Sequence, residues 1–245
     1  MIEAQHLRKV FHDKKRGEVR AVDGVSFHCK PGQIYGLLGA NGAGKTTTLR
    51  MLATILRPTD GTAKVAGHDV VQEPDQVRTK VGFLSTATAL YGRLTAREMV
   101  EYFGRLNGME NGKLRQRIDE IFARLEMNEF RDRRCEKLST GMKQKVSIAR
   151  TIVHDPPVMI FDEPTVGLDV MTARTIVQFV RECRDRGKTV IFSTHVMSEA
   201  EKLCDTIGII HNGKLLTEGT LAELRTRFGL EDLEDIFVKV VEGAA

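Results

Sequence analysis

No run of eighteen or more apolar residues occurs in the chain, which argues against any segment spanning a bilayer as a single helix. The opening residues, Met1-Ile2-Glu3-Ala4-Gln5-His6-Leu7-Arg8-Lys9, lack the apolar stretch of a secretory signal, so the chain is expected to stay in the cytoplasm. Low-complexity tracts, long linkers and internal repeats are also missing. The four cysteines, Cys29, Cys135, Cys183 and Cys204, show no CxxC or other ligand spacing. That scatter predicts reduced, mostly buried thiols instead of a disulfide framework or a zinc site. A strong excess of one charge is absent too: 37 Lys plus Arg against 33 Asp plus Glu leaves +4. A nucleic-acid partner, which calls for a dense basic face, is not expected. What is present is 245 residues, 41% of them hydrophobic, enough for one large domain or two small ones.

Along the chain, Arg20-Ala21-Val22-Asp23-Gly24-Val25-Ser26-Phe27 reads as a strand before a turn at Pro31-Gly32, with Lys14-Lys15-Arg16-Gly17 as a hairpin tip. Ile34-Tyr35-Gly36-Leu37-Leu38 reads as a buried strand that runs into a glycine-rich loop and a helix to about Leu52. Short strands return at 62–67 and 81–84. The middle changes character. Thr95-Ala96-Arg97-Glu98 is a capping box, in which Thr95 accepts from exposed amides and Glu98 reaches back. Met99, Tyr102, Phe103 and Leu106 then fall on one predicted helical face, and Leu114, Ile118, Ile121, Phe122 and Leu125 on a second. Strands resume at 158–161 and 189–192. The helix between them is capped by Asp169, with Val170, Ala173, Val177 and Val180 expected inward and Gly187 at its end. Continuous apolar strands separated by helices imply a parallel sheet covered on both faces. Asn212-Gly213 marks a hairpin. The tail, with Leu230, Leu233, Phe237 and Val240, reads as one more amphipathic helix.

Gly39-Ala40-Asn41-Gly42-Ala43-Gly44-Lys45-Thr46 fits the phosphate-loop pattern between a buried strand and a helix. Its glycines let successive N–H groups converge on phosphate oxygens, and the helix N-terminus adds a favourable field. Lys45 supplies a point charge for the outer phosphates, the Thr46 hydroxyl can bind Mg²⁺, and Thr47 continues the same turn. Alone, the loop indicates a nucleoside triphosphate and leaves kinases, GTPases and motors open.

Val158-Met159-Ile160-Phe161-Asp162-Glu163 puts two acids at the end of an apolar strand. Asp162 is then expected beside Mg²⁺, and Glu163 is placed to polarise an attacking water as general base. Four further features follow. Leu138-Ser139-Thr140-Gly141-Met142 opens an amphipathic helix carrying Met142, Val146, Ala149 and Val153. Gly167-Leu168-Asp169 follows Pro164-Thr165-Val166. His195 stands just after a strand, and Phe11 lies upstream of the loop, where an aromatic ring can stack on adenine. Taken singly, Ser139 reads as a helix cap, His195 as a surface histidine and Phe11 as core. Their order and placement together carry the signal.

Together these motifs resemble the ABC ATPase family from about Ile2 to Leu221. The resemblance implies an α/β fold of the P-loop NTPase (RecA-like) kind: a mostly parallel sheet flanked by helices, an N-terminal antiparallel β part and a helical insert. It implies an ATPase domain over 1–225, with core segments 1–88 and 154–225, a helical subdomain at 89–153, and a C-terminal helix at 226–245. In family terms residues 39–46 are Walker A, Asp162 and Glu163 end Walker B, and Ser139, Thr140, Gly141 and Met142 are the signature motif. Asp169 lies in the D-loop and His195 is the switch histidine. ATP and Mg²⁺ are the implied ligands. Two copies are expected to bind head to tail, with ATP on Walker A of one and under the signature of the other. Two departures stand out. Thr140 and Met142 replace the usual glycine and glutamine of the signature, and Thr86 stands where the Q-loop glutamine is usual, too short to reach a metal site. Ser139-Thr140-Gly141-Met142-Lys143-Gln144-Lys145 and Ser193-Thr194-His195-Val196-Met197-Ser198-Glu199 are similar to ATPase subunits of bacterial drug and sodium exporters. A separate membrane permease and a place at the cytoplasmic face of the membrane are therefore implied. A soluble ABC ATPase, an importer ATPase and a small-molecule kinase remain the alternatives.

Overall fold

A computed structural model describes residues 1–13, 17–85 and 89–244. The basic tip at 14–16 and Thr86 lie outside the described residues. In chain order the elements are β1 (Ile2–Asp13), β2 (Gly17–Cys29), β3 (Ile34–Leu38), α1 (Lys45–Leu52), β4 (Asp60–Val65), β5 (His68–Asp69), α2 (Pro74–Lys80) and β6 (Val81–Ser85). Helices α3 (Ala96–Leu106), α4 (Asn111–Arg124) and α5 (Thr140–Ile152) follow, then β7 (Val158–Asp162), α6 (Val170–Asp185) and β8 (Thr189–Thr194). The chain continues with α7 (Met197–Leu203), β9 (Thr206–His211), β10 (Lys214–Gly219), α8 (Leu221–Phe228) and α9 (Leu233–Glu242). Two compact units result, one of Met1–Val81, Pro157–Glu163 and Arg181 onward, the other of Gly82–Pro156 and Pro164–Val180.

The first unit holds two sheets. An antiparallel one has the order β2-β1-β4-β5. In the other, β9, β3, β8 and β7 lie side by side and parallel, with β10 antiparallel on β9. Every residue of β3, β7 and β8 is buried, which is why these segments read as unbroken apolar runs and not as alternating ones. One face packs Leu38, Ile207 and Ile209 against Ala200 of α7, Leu224 of α8, and Leu233, Ile236 and Val240 of α9. Each of these leucine, isoleucine and valine side chains contributes about 1.5–3 kcal/mol by leaving water.

The tail differs from the expectation of a single helix. Gly229, at φ +65° in the left-handed region, ends α8, and Asp232 caps a new helix by accepting from Glu234 N–H at 2.8 Å. Leu230 therefore lies between the two helices. Helices α2, α7 and α8 are short and have no counterpart in the sequence reading.

In the second unit, Thr95 and Glu98 form the expected reciprocal cap, at 3.2 and 2.8 Å. The predicted stripes on α4 and α5 are buried at Leu114, Ile118, Ile121, Phe122, Leu125, Val146, Ala149 and Val153, whereas Met142 at the start of α5 is half-buried. The stripe on α3 needs correction: Met99, Val100 and Gly104 are buried, whereas Tyr102 and Leu106 are exposed. Gly104 admits close packing, since the Leu114 side chain occupies the space its Cβ would take, and Tyr102 meets Tyr91 edge to face, centroids 5.8 Å apart. Helix α6 needs the same correction. Asp169 caps it, accepting from Thr172 N–H at 2.9 Å, but Val170 is exposed, and the buried positions are Ile176, Phe179, Val180 and Cys183. Among the cysteines, Cys29, Cys135 and Cys183 are buried and Cys204 half-buried. Burial pushes the Cys29 thiol up to about 12, leaving little thiolate for reaction.

Candidate nucleotide site

Strand β3 delivers the chain into the glycine-rich loop, and α1 carries it away. Gly44 has φ +106°, and a Cβ there would stand 2.6 Å from the Ala21 carbonyl oxygen, so only glycine fits. The loop is fastened from behind. Gly213 N–H, in the β9–β10 turn, donates to Ala43 O at 2.9 Å, and Asp23 N–H of β2 donates to Gly213 O at 2.8 Å. A cleft of about 150 Å³ opens over it, lined by Ala21, residues 41–47 and Glu163. Lys45 is buried at the head of α1, and its ammonium donates to Gly39 O at 2.6 Å and Ala40 O at 3.1 Å.

Strand β7 brings the two acids to the same place. Asp162 is buried and accepts on Oδ1 from the Thr46 hydroxyl at 3.1 Å and from the Ser193 hydroxyl at 2.8 Å. Glu163 leaves the strand in the left-handed region, φ +49°. Its Oε1 lies 3.0 Å from Lys45 Nζ and its Oε2 3.2 Å from His195 Nδ1. Lys45, Thr46, Asp162, Glu163 and His195 thus form one constellation of cation, hydroxyl, two carboxylates and imidazole at the glycine-rich loop. Thr46 and Asp162 supply the hard oxygen donors Mg²⁺ prefers, and Mg²⁺ is usually held by few protein groups with phosphate and water completing its shell.

Phe11 is exposed on β1 and pairs with Val19 of β2. Ala21, which lines the cleft, follows two residues further along β2, at the register shift between the Val10–Arg20 and Lys9–Val22 pairs. Lys9 Nζ sits 5.3 Å from the Phe11 ring centroid.

In the second unit, Ser139 caps α5 and accepts from Met142 N–H at 3.3 Å. Thr140 and Gly141 begin that helix, and a Cβ on Gly141 would lie 3.0 Å from Thr172 Oγ1. Thr172 in turn donates to Asp169 through its N–H at 2.9 Å and its hydroxyl at 2.7 Å. Those bonds, the backbone one foremost, hold the Asp169 carboxyl below the usual range. Gln144 Nε2 donates to Pro164 O at 2.8 Å. The residues read as signature and D-loop are therefore joined through Thr172, which the sequence reading passed over. Its signal was its place three residues after a capping Asp. Ser193 and Ala21 were passed over as well.

The loop, the acid-tipped buried strand and the parallel sheet define a P-loop nucleoside triphosphatase. The chain belongs to the ABC transporter family, whose model matches residues 22–166. It is 41% identical to the ABC transporter ATP-binding protein NatA of Bacillus subtilis (strain 168) over 99% of both chains. It is 40% identical to the daunorubicin/doxorubicin resistance ATP-binding protein DrrA of Streptomyces peucetius, over 93% of this chain and 68% of that protein. An ATP-binding cassette solved as a dimer in a post-hydrolysis state with ADP and Pi superposes with a TM-score of 0.82, at 26% identity over 90% of this chain and 98% of that one. The family, the fold class and the ATPase activity read from the sequence are all borne out by these likenesses.

Proposed function

We propose that this chain is the ATP-hydrolysing subunit of an exporter, working as a head-to-tail pair on a separate membrane permease at the cytoplasmic face of the membrane. The observation that carries the reading is the Glu163 carboxylate, held between Lys45 and His195 at the mouth of the phosphate loop. The amides of residues 39–47 and Lys45 bind the phosphates, and Phe11 stacks on the adenine. Thr46 and Asp162 hold Mg²⁺, which when bound neutralises charge on the phosphate oxygens. Glu163 takes a proton from water as the water oxygen attacks the γ-phosphorus. The bond from that phosphorus to the β–γ bridging oxygen breaks, giving ADP and Pi, and His195 hydrogen-bonds the transferred group. Ser139, Thr140, Gly141 and Met142 of the second copy close over the same phosphate, with the α5 N-terminus directed at it, and Asp169 helps set the facing site. In domain terms, 1–88 with 154–225 form the ATPase core, 89–153 the helical subdomain, and 226–245 a C-terminal helical segment.

Export is supported by the relatives, among them a drug-resistance ATP-binding protein, and the need for a permease by the finding that no described helix is long and apolar enough to cross a membrane. Glu163→Gln tests the core of the reading. Hydrolysis should fall about 10²–10⁴-fold, and the protein should accumulate as an ATP-loaded dimer on gel filtration. Wild-type turnover by that variant would remove Glu163 as the base. Copurification of a multi-span partner from membranes tests the permease, and a protein recovered only from the soluble fraction, without such a partner, would favour a soluble ATPase.

A further inference from the structure

Asp162 and Glu163 are adjacent in sequence but have different tasks, one facing Thr46 and the other facing Lys45 and His195. Simple strand alternation would send them to opposite faces of the sheet. The chain brings both to the loop by bending at Glu163 to φ +49°. A non-glycine residue in that region is strained by about 1–3 kcal/mol and persists only where its surroundings hold it.

The holder is Ser193. It is fully buried on β8, and it sits opposite Asp162 in the parallel pairing of β7 with β8. The Glu163 N–H is shared between two of its oxygens, the carbonyl at 3.2 Å and Oγ at 3.1 Å. The same hydroxyl donates its proton to Asp162 Oδ1 at 2.8 Å, an oxygen that also receives the Thr46 hydroxyl. One buried hydroxyl therefore accepts from the backbone of the proposed base and donates to the proposed metal-side carboxylate. We infer that Ser193 is a positioning residue for ATP hydrolysis: it fixes the bend at Glu163 and the rotamer of Asp162 together, keeping the two carboxylates in register with the phosphate loop. The inference rests on the assignment of Glu163 as the base.

Ser193→Ala removes the hydroxyl with little change of volume. Both Glu163 N–H and Asp162 Oδ1 keep one partner, so the fold should survive with a lowered Tm. A misplacement on the order of 1 Å can cost about 10²-fold in rate, so kcat should drop about 10- to 100-fold. Binding of a fluorescent ATP analogue without Mg²⁺ depends on the loop and Lys45 and should change less than about threefold. Ser193→Thr keeps the hydroxyl and should recover most of the lost kcat. Should the Ala variant not fold, Ser193→Cys, close in size but a weak donor, should show the same split of low kcat with retained binding. A double variant separates this inference from its foundation. Ser193→Ala added to Glu163→Gln should slow the reaction by a smaller factor than it does alone, because only its hold on Asp162 is left to lose once the base is gone. A slow Glu163→Gln beside a Ser193→Ala of wild-type kcat, with only Tm moved, would overturn the role of Ser193 and leave the base intact. Wild-type turnover by Glu163→Gln would overturn both.

Discussion

The Lys45–Glu163 contact makes an affinity prediction of definite sign. Lys45 Nζ and Glu163 Oε1 are 3.0 Å apart, with side chains 4% and 17% exposed, so the pair is shielded from solvent. A γ-phosphate arriving at the loop must compete with that carboxylate for the same ammonium, and it also approaches a like charge. Charge-assisted hydrogen bonds contribute about 1.5–3 kcal/mol, against about 1 kcal/mol for neutral ones. Replacing the carboxylate by the amide in Glu163→Gln therefore removes about 1–2 kcal/mol of competition, or roughly a 5- to 30-fold tightening of ATP binding. Dimer formation would add apparent affinity of its own. Wild type and variant are therefore best compared in a Ser139→Arg background, where sandwich closure is blocked, by titrating a fluorescent ATP analogue into dilute protein. ADP, lacking the γ-phosphate, should gain less. Equal or weaker ATP binding by Glu163→Gln would show that the carboxylate does not compete for Lys45, and the argument from this contact would fail.

The remaining tests follow from the same geometry. Lys45→Ala removes the ammonium aimed at the outer phosphates and should weaken ATP binding itself, opposite in sign to Glu163→Gln; equal binding of the analogue by both variants would contradict this division of roles. Phe11→Ala should weaken ATP and ADP alike, by about 0.5–1.5 kcal/mol, the worth of an aromatic stack, and a loss confined to ATP would place the ring away from the base. Ser139→Arg puts a cation at the N-terminus of α5, against the helix dipole: it should bind ATP yet not hydrolyse it. Mixing it with Lys45→Ala should restore some turnover from the one composite site left whole, and full activity of Ser139→Arg alone at monomeric dilution would refute the shared site.

How much of this was legible in the sequence depends on the reach of each interaction. The phosphate loop, the Asp162-Glu163 strand end and the caps at Thr95, Ser139 and Asp169 are local patterns, set by residues within about one turn of each other. All of them stand in the structure at the places the sequence indicated. The apolar stripes on α3 and α6 were less legible. Periodicity identifies a helix, but which flank of the stripe meets the core depends on partners far along the chain. Leu114 packs on Gly104, and Tyr102 and Leu106 lie exposed. The break in the tail depended on one residue, Gly229, taking a left-handed conformation that ends α8.

The residues that hold the site together were the least legible, for one shared reason. Ala21 carries no motif, Gly213 signals only a hairpin and Ser193 stands only as a neighbour of His195, yet each acts on the loop or the acids from 20 or more positions away through a backbone atom or a single hydroxyl. A small residue gives no periodic or compositional signal, yet close approach of backbone to backbone requires one. The chemistry-bearing residues are large or charged and announce themselves. The residues that aim them are small and buried, and only the folded register of β7 against β8, with Ser193 opposite Asp162, shows that a serine just before the Thr194-His195 pair reaches the carboxylates of another strand. Strain at Glu163 points the same way: a base held at φ +49° needs a partner that compensates its backbone as well as its charge, and the partner was to be sought across the sheet, where the amide of the bent residue points.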